Sequence, residues 1–143
     1  MKAERRMFTL EEANRLIPEL EKRLNTLQEK RMACTRRHDL LLMHELLDAA
    51  EGERTAGDDP LSALEEDIRG LEAEVHGLEG DLAAIQAFGC IVRSVELGWI
   101  DFMGCIGGRI IYYSWKKGER EVTFYRENGD KQGIRHPLPA SRD

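Results

Sequence analysis

The sequence predicts an α+β protein in which a long antiparallel α-helical hairpin, coiled-coil-like in its spacing, carries a small C-terminal antiparallel β-sheet of three to four strands. Three observations support this fold class: two long apolar runs at heptad spacing, a segment of small and polar residues between them, and a change to alternating β-branched and aromatic residues after residue 89. The 143 residues are enough to build one core, so we expect a single domain over residues 1–143.

The first helix is predicted over residues 9–50. Apolar residues recur from Leu10 at alternating steps of three and four, and Thr9 followed by Glu12 has the spacing of a capping box. Pro18 lies inside this run, where it removes a backbone donor and crowds the preceding turn. We therefore expect a kink near Pro18, with the N-terminal turns bending away from the hairpin to cover the sheet.

The second helix is predicted over residues 60–87, where the heptad rhythm continues without a polar interruption. Asp58 and Asp59 supply a cap, and Pro60 is favoured in a first turn. The hairpin turn is expected near residues 51–59, which are rich in glycine, aspartate and small residues.

The charges of the two helices are complementary in this arrangement. Folding about residue 55 sets a basic cluster opposite an acidic one, namely Lys30, Arg31, Arg36 and Arg37 opposite Glu72, Glu74 and Glu79. The alternative is that these charges form solvated faces without specific partners.

The stretch LLLMHELL, residues 40–47, is apolar nearly all the way round the first helix. A two-helix hairpin can bury only one stripe of such a helix. We expect a homodimer that pairs two hairpins into a four-helix bundle, and the alternative is that the C-terminal sheet folds back over the same face.

A β-meander is predicted over residues 89–127. Its strands are β-branched and aromatic runs separated by glycine-containing turns: residues 90–97, 99–102, 109–115 and 121–125. The segment KKGE, residues 116–119, has the length and glycine of a hairpin loop and should pair the last two strands. We expect the tail, residues 128–143, to be a proline-bounded loop without a strand.

Composition limits the class of function. A net charge of −6 argues against nucleic-acid binding, which depends on clustered Lys and Arg. No apolar run has the roughly 20 residues that span a bilayer, and the N-terminus lacks the apolar core of a secretory signal. Three cysteines without a paired motif are typical of reduced thiols. We expect a cytoplasmic protein.

Five phrases stand in order along the chain: FTLEEANRLIPEL at residues 8–20, GWIDF at 98–102, GGR at 107–109, SWKKGE at 114–119 and GIRHPL at 133–138. Together they resemble the prokaryotic family catalogued as domain of unknown function 2203. The resemblance covers most of the chain, although the middle helix is similar only in its heptad spacing.

The resemblance carries over residue by residue. Seven positions match the family's phrases: Asp101, Phe102, Arg109, Trp115, Gly118, Glu119 and Arg135. Three depart from them: Met103 replaces a usual proline, Ser114 a usual cysteine and Arg126 a usual histidine. The resemblance implies no activity, and any chemistry that needs that cysteine and histidine should be missing here.

The candidate ligand-binding residues lie in the C-terminal segment: Asp101, Arg109, Trp115, Glu119, Arg126 and Arg135. A carboxylate in the apolar WIDF run must find hydrogen bonds, and we expect Arg109 or backbone amides to hold Asp101 unless it contacts a ligand. The three arginines could converge with aromatic residues on a small anionic or aromatic ligand. Otherwise they pair with nearby acidic residues.

The segment contains no nucleophile–base pair, no pair of carboxylates and no metal-ligand spacing. We therefore expect a homo-oligomeric protein-interaction or structural module without catalytic residues, metal or cofactor. The competing hypothesis is a ligand-binding protein or enzyme with a pocket around Asp101, Arg109, Trp115 and Glu119.

Overall fold

The computed structural model describes residues 6–51, 60–130 and 132–139. These residues form two helices and a five-stranded antiparallel sheet, which confirms the α+β class. The elements are α1 Leu10–Glu51, α2 Pro60–Gln86, β1 Ile91–Ser94, β2 Trp99–Ile106, β3 Arg109–Lys116, β4 Phe124–Glu127 and β5 His136–Pro137. The sheet order follows the chain, from β1 to β5.

The predicted capping box begins α1. The Glu12 amide donates to Thr9 Oγ1 at 3.1 Å, and the Thr9 amide donates to Glu12 Oε1 at 2.9 Å, so both side chains satisfy free N–H groups of the first turn. The backbone hydrogen bond from Thr9 lowers the pKa of Glu12. The helix then continues through Pro18 without a break, and the kink expected there stays a prediction.

Two ion pairs connect α1 to α2. Lys30 Nζ lies 2.9 Å from Asp81 Oδ2, and Arg37 contacts Glu74. Arg37 and Glu74 belong to the two clusters that the sequence analysis set opposite each other, whereas Asp81 lies two residues beyond Glu79, the last residue of the predicted acidic cluster. Of the turn predicted near residues 51–59, residues 52–59, which include the expected caps Asp58 and Asp59, lie outside the described residues. Neither helix, over its described length, has a stretch long and apolar enough to cross a bilayer.

The core forms where the N-terminal half of α1 lies on one face of the sheet, which we call the inner face. α1 contributes one apolar stripe, Ala13, Ile17, Leu20, Leu24 and Leu27, and the strands contribute Ile100, Phe102, Ile111, Tyr113 and Trp115. Strand alternation puts these five strand residues on the same side. The prediction that the N-terminal turns of α1 cover the sheet is confirmed.

Polar contacts fix α1 against the strand connections. The Val122 amide donates to Asn14 Oδ1 at 2.7 Å. Gln28 donates to the Val95 carbonyl at 2.8 Å and accepts from Lys117 Nζ at 2.6 Å. The contacts with the Val122 amide and the Val95 carbonyl satisfy backbone groups that the sheet ladder leaves unpaired.

Several details of the sheet differ from the prediction, beginning with β1, which ends at Ser94 and not at residue 97. β2 runs on to Ile106 because Gly104 lies within the strand and the turn is made by Gly107 and Gly108, both with positive φ. β4 begins at Phe124, since the contact of Val122 with α1 lengthens the expected KKGE hairpin loop. The tail adds β5, so three to four strands was too low a count.

Gly104 permits a close approach of the Tyr113 ring and the Phe8 backbone to β2. A Cβ at this position would overlap the Tyr113 ring and lie 3.0 Å from the Phe8 carbonyl oxygen, next to the point where the Phe8 amide donates to the Met103 carbonyl. The absence of a side chain therefore lets the N-terminal segment and the Tyr113 ring pack directly on β2.

We predict that Gly104→Ala lowers the free energy of unfolding by about 1–3 kcal/mol, because it overpacks this contact. Gly80→Ala is the matched control, since its Cβ would meet nothing within 4 Å on α2. It should raise stability by about 0.5–1 kcal/mol through helix propensity. Urea unfolding followed by circular dichroism measures both, and equal effects of the two variants would contradict the packing assignment.

Candidate functional site

The sheet's outer face, which points away from α1, carries polar residues at its centre. Asp101 of β2 lies opposite Ser114 of β3, and Tyr112 of β3 lies opposite Arg126 of β4. Asp101 and Ser114 are fully buried although neither of the two described helices covers this face. Longer side chains and the segment leading to β5 enclose them instead.

Four hydrogen bonds hold the Asp101 carboxylate. Oδ2 accepts from Arg93 Nε at 2.9 Å and from Arg126 Nε and Nη2 at 3.2 and 2.6 Å, while Oδ1 accepts from Trp99 Nε1 at 2.9 Å. A buried carboxylate is costly unless it is paired and hydrogen-bonded, and here two guanidinium groups supply both conditions.

The hydrogen bonds continue from Trp99 to a second ion pair. Trp99 Nε1 also lies 3.0 Å from Ser114 Oγ, which accepts from Arg135 Nε at 3.1 Å. Arg135 binds both oxygens of Glu119, with Nη2 at 2.7 Å from Oε1 and Nη1 at 3.1 Å from Oε2. We call this set the outer-face network: Arg93, Trp99, Asp101, Ser114, Glu119, Arg126 and Arg135.

Aromatic rings support the three guanidinium groups of the network. Arg126 lies 4.8 Å from the centre of the Trp99 ring, Arg93 lies 5.1 Å from Tyr112, and Arg135 lies 4.3 Å from Phe124. Planar guanidinium groups stack well on rings, so each arginine is held in place both by the carboxylate it pairs with and by the neighbouring aromatic ring.

Four of the six candidate residues belong to the network: Asp101, Glu119, Arg126 and Arg135. Trp115 is on the inner face, fully buried, with Nε1 donating to the Glu119 carbonyl at 2.8 Å. Arg109 is exposed at the start of β3, where Nη1 lies 3.7 Å from Glu127 Oε1. The six side chains therefore do not line one concavity.

The expectation that Arg109 or backbone amides hold Asp101 was wrong. Arg109 pairs with Ile106 at the hairpin end of the sheet, whereas Asp101 pairs with Ser114. Five residues of extended strand separate the two positions, about 17 Å at the usual rise. Arg93 and Arg126 lie on the flanking strands and reach the carboxylate directly.

Arg93, Trp99 and Ser114 were missed as candidates. Alternation alone places Trp99 beside Asp101 on one face of a strand, so that signal was available in the sequence. The positions of Arg93 and Ser114 follow only from the strand register. Two of the three departures from the resembled family, Ser114 and Arg126, lie within the network.

The cysteines have different surroundings. Cys90 is buried just after the end of α2, where its Sγ donates to the Ile85 carbonyl at 3.4 Å. Burial raises the pKa of the Cys90 thiol to about 12. Cys105, by contrast, is exposed on β2. Among residues 6–51, 60–130 and 132–139, no three His, Cys, Asp or Glu side chains are grouped to hold a metal ion.

Fold and site together define an α+β protein with a buried guanidinium–carboxylate network on the outer face of its sheet. The chain belongs to the family of uncharacterized conserved proteins DUF2203, whose sequence profile matches residues 6–138. This confirms the resemblance noted in the sequence. Comparison with curated proteins and with solved structures finds no match.

We predict that Asp101→Asn destabilises the protein by about 3 kcal/mol, because it leaves Arg93 and Arg126 without a counter-charge in a buried site. The control is Glu127→Gln, which removes the acid of the exposed pair with Arg109 and should cost less than about 1 kcal/mol. Chemical denaturation compares the two variants. Equal losses in the free energy of unfolding would show that Arg93 and Arg126 do not need the negative charge of Asp101.

We predict that a thiol reagent at pH 8 labels Cys105 rapidly in the folded protein and leaves Cys90 unmodified, since burial keeps the Cys90 thiol protonated. Mass spectrometry of the labelled protein identifies the site. Cys105→Ser should abolish the fast phase, and rapid labelling of Cys90 in this variant would contradict the buried environment.

Proposed function

We propose that the protein is a cytoplasmic homo-oligomeric interaction module whose α1 and α2 form an antiparallel hairpin that pairs with the hairpin of a second copy. The observation that carries the proposal is a set of large apolar side chains, 40–65% exposed, along the part of the helices away from the sheet. They are Met32, Leu40, Leu42, Met43, Leu46 and Leu47 of α1 and Ile68 and Val75 of α2.

The order of the ion pairs supports the antiparallel hairpin. The Arg37–Glu74 pair lies seven residues after Lys30 on α1 and seven residues before Asp81 on α2. Successive contacts therefore advance along one helix and retreat along the other. The heptad spacing of both sequences favours this packing.

The exposed stripe of α1 lies away from α2. Leu27 and Cys34, seven residues apart, are buried, whereas Leu40, Met43 and Leu47 lie about 180° round the helix at 100° per residue. α1 thus has two apolar stripes in this region, and α2 can cover only one of them.

The alternative cover, a sheet folded back over residues 40–47, is less well supported. The sheet's inner face meets Leu20 and Leu24 in the N-terminal half of α1. Leu40 is 20 residues beyond Leu20, about 30 Å along the helix axis. A second copy of the chain can reach the stripe without moving the sheet.

Charge also favours a second copy as the occupant. Arg31 and Arg36 are exposed on α1 without an acidic partner within 4.0 Å among the described residues. Exposed acidic side chains on α2 include Glu65, Glu66 and Glu72. In a two-fold interface that sets α1 of each copy beside α2 of the other, the arginines and the acidic residues meet twice, once in each half of the interface.

We expect the wild type to be a dimer by light scattering and the double variant Leu40→Glu/Met43→Glu to be a monomer, because two carboxylates would be buried in the interface. The monomer should keep its helical circular dichroism, since both side chains are exposed in the single chain.

Leu97→Glu is the matched control. Leu97 is 60% exposed, similar to Leu40 at 61%, but lies in the turn between β1 and β2. This variant should stay dimeric. A monomeric wild type at about 100 μM, or equal dissociation of both variants, would overturn the proposal.

A further inference from the structure

A cleft of about 410 Å³ opens on the outer face beside the Asp101 end of the network. Arg93, Trp99, Tyr112 and Arg126 line one side of it, and the turn after β4, including Gly133, lines the other. The volume is at the small end of the range for ligand pockets in proteins, about 300–1,000 Å³.

Both arginines in this cleft keep donors that the protein does not use. Arg93 reaches Asp101 through Nε alone, and its Nη1 and Nη2 make no hydrogen bond to the described residues. Arg126 uses Nε and Nη2, and its Nη1 likewise makes none there. The carboxylate thus orients two guanidinium groups while leaving three terminal nitrogens for another acceptor.

Gly133 keeps the cleft open above Arg126. A Cβ at residue 133 would lie 3.4 Å from Trp99 Cη2 and 4.0 Å from Arg126 Nη1. Its φ of 70° is also one that other residues rarely adopt. The turn therefore approaches the arginine by backbone, without a side chain that would fill the space.

The charges in the cleft leave room for an anion. Arg93 and Arg126 together carry one positive charge more than Asp101 neutralises. Two other acids stand at the rim: Glu127 faces Arg109, and Asp130, which keeps its negative charge, directs its two oxygens at the amides of Gln132 and Ile134 at 2.9 and 3.2 Å.

We propose that this cleft binds a small molecule through a compact oxyanion, a phosphate or carboxylate group that accepts from Arg93 and Arg126. The guanidinium groups are held in place by Asp101, Trp99 and Tyr112 before the ligand arrives, which reduces the entropy lost on binding. The cleft is larger than one oxyanion needs, so the rest of the ligand would lie along Tyr112 and the turn that contains Gly133.

The test is a titration of ¹⁵N-labelled protein with inorganic phosphate and, separately, with citrate, at low salt. Binding in the cleft should shift the Nε–Hε signals of Arg93 and Arg126 and quench Trp99 fluorescence. A response to phosphate alone or to citrate alone identifies which oxyanion the cleft prefers.

Arg93→Gln should weaken binding about tenfold or more, because it removes charge-assisted hydrogen bonds. Arg93→Lys keeps the charge, so its affinity for the anion should lie between that of the wild type and that of Arg93→Gln. The comparison separates loss of the guanidinium geometry from loss of charge. Arg15→Gln is the control, since Arg15 is an exposed arginine on α1, across the sheet from the cleft.

Two outcomes would overturn the proposal: no shift of the Arg93 and Arg126 signals up to about 20 mM of either anion, or equal weakening by Arg93→Gln and Arg15→Gln. The second would show that net charge, and not the cleft, attracts the anion. Neither outcome bears on the helical dimer, whose stripe contains none of these residues.

Discussion

The outer face of the sheet depends on one interaction, the burial of the Asp101 carboxylate between Arg93 and Arg126. An unpaired carboxylate at the centre of a sheet would be strongly unfavourable, so the two guanidinium groups are needed for this strand sequence to fold. They come from β1 and β4, the strands on either side of β2 and β3. One carboxylate therefore ties together three strands, β1, β2 and β4, and it also orients the Trp99 ring, whose hydrogen bond reaches Ser114 of β3.

Each face of the sheet is closed by a different kind of interaction. The inner face is covered by α1 through apolar packing of residues such as Leu20, Leu24 and Trp115. Neither α1 nor α2 lies over the outer face in the described part of the chain, and stacked arginines and rings exclude water from Asp101 and Ser114 instead. This explains why both faces of β3 carry large side chains although only one meets a helix.

The helices and the core stripe of α1 could be predicted from the sequence. Their signals, namely the heptad spacing, the Thr9–Glu12 capping box and the apolar residues up to Leu27, depend only on residues that are close together in the chain. The outer-face network could not, since its partners depend on strand register. Asp101 meets Ser114 only if β2 extends through Gly104 to the turn at Gly107, and a glycine in a strand is easily taken for its end. The predicted second strand ended at residue 102, before Gly104, and this placed Asp101 near the start of the next strand, where Arg109 lies.

The network has a closed half and an open half, and the difference is one of hydrogen-bond donors. Arg135 commits four of its five N–H donors to Ser114 and Glu119, so among the described residues only one Nη1 donor is left for a ligand. Arg93 commits one nitrogen and is about a third exposed. The same residue type is therefore structural at one end of the network and available at the other. Asp101 has both roles, because the bonds that make its own burial tolerable are the ones that point the remaining guanidinium nitrogens into the cleft.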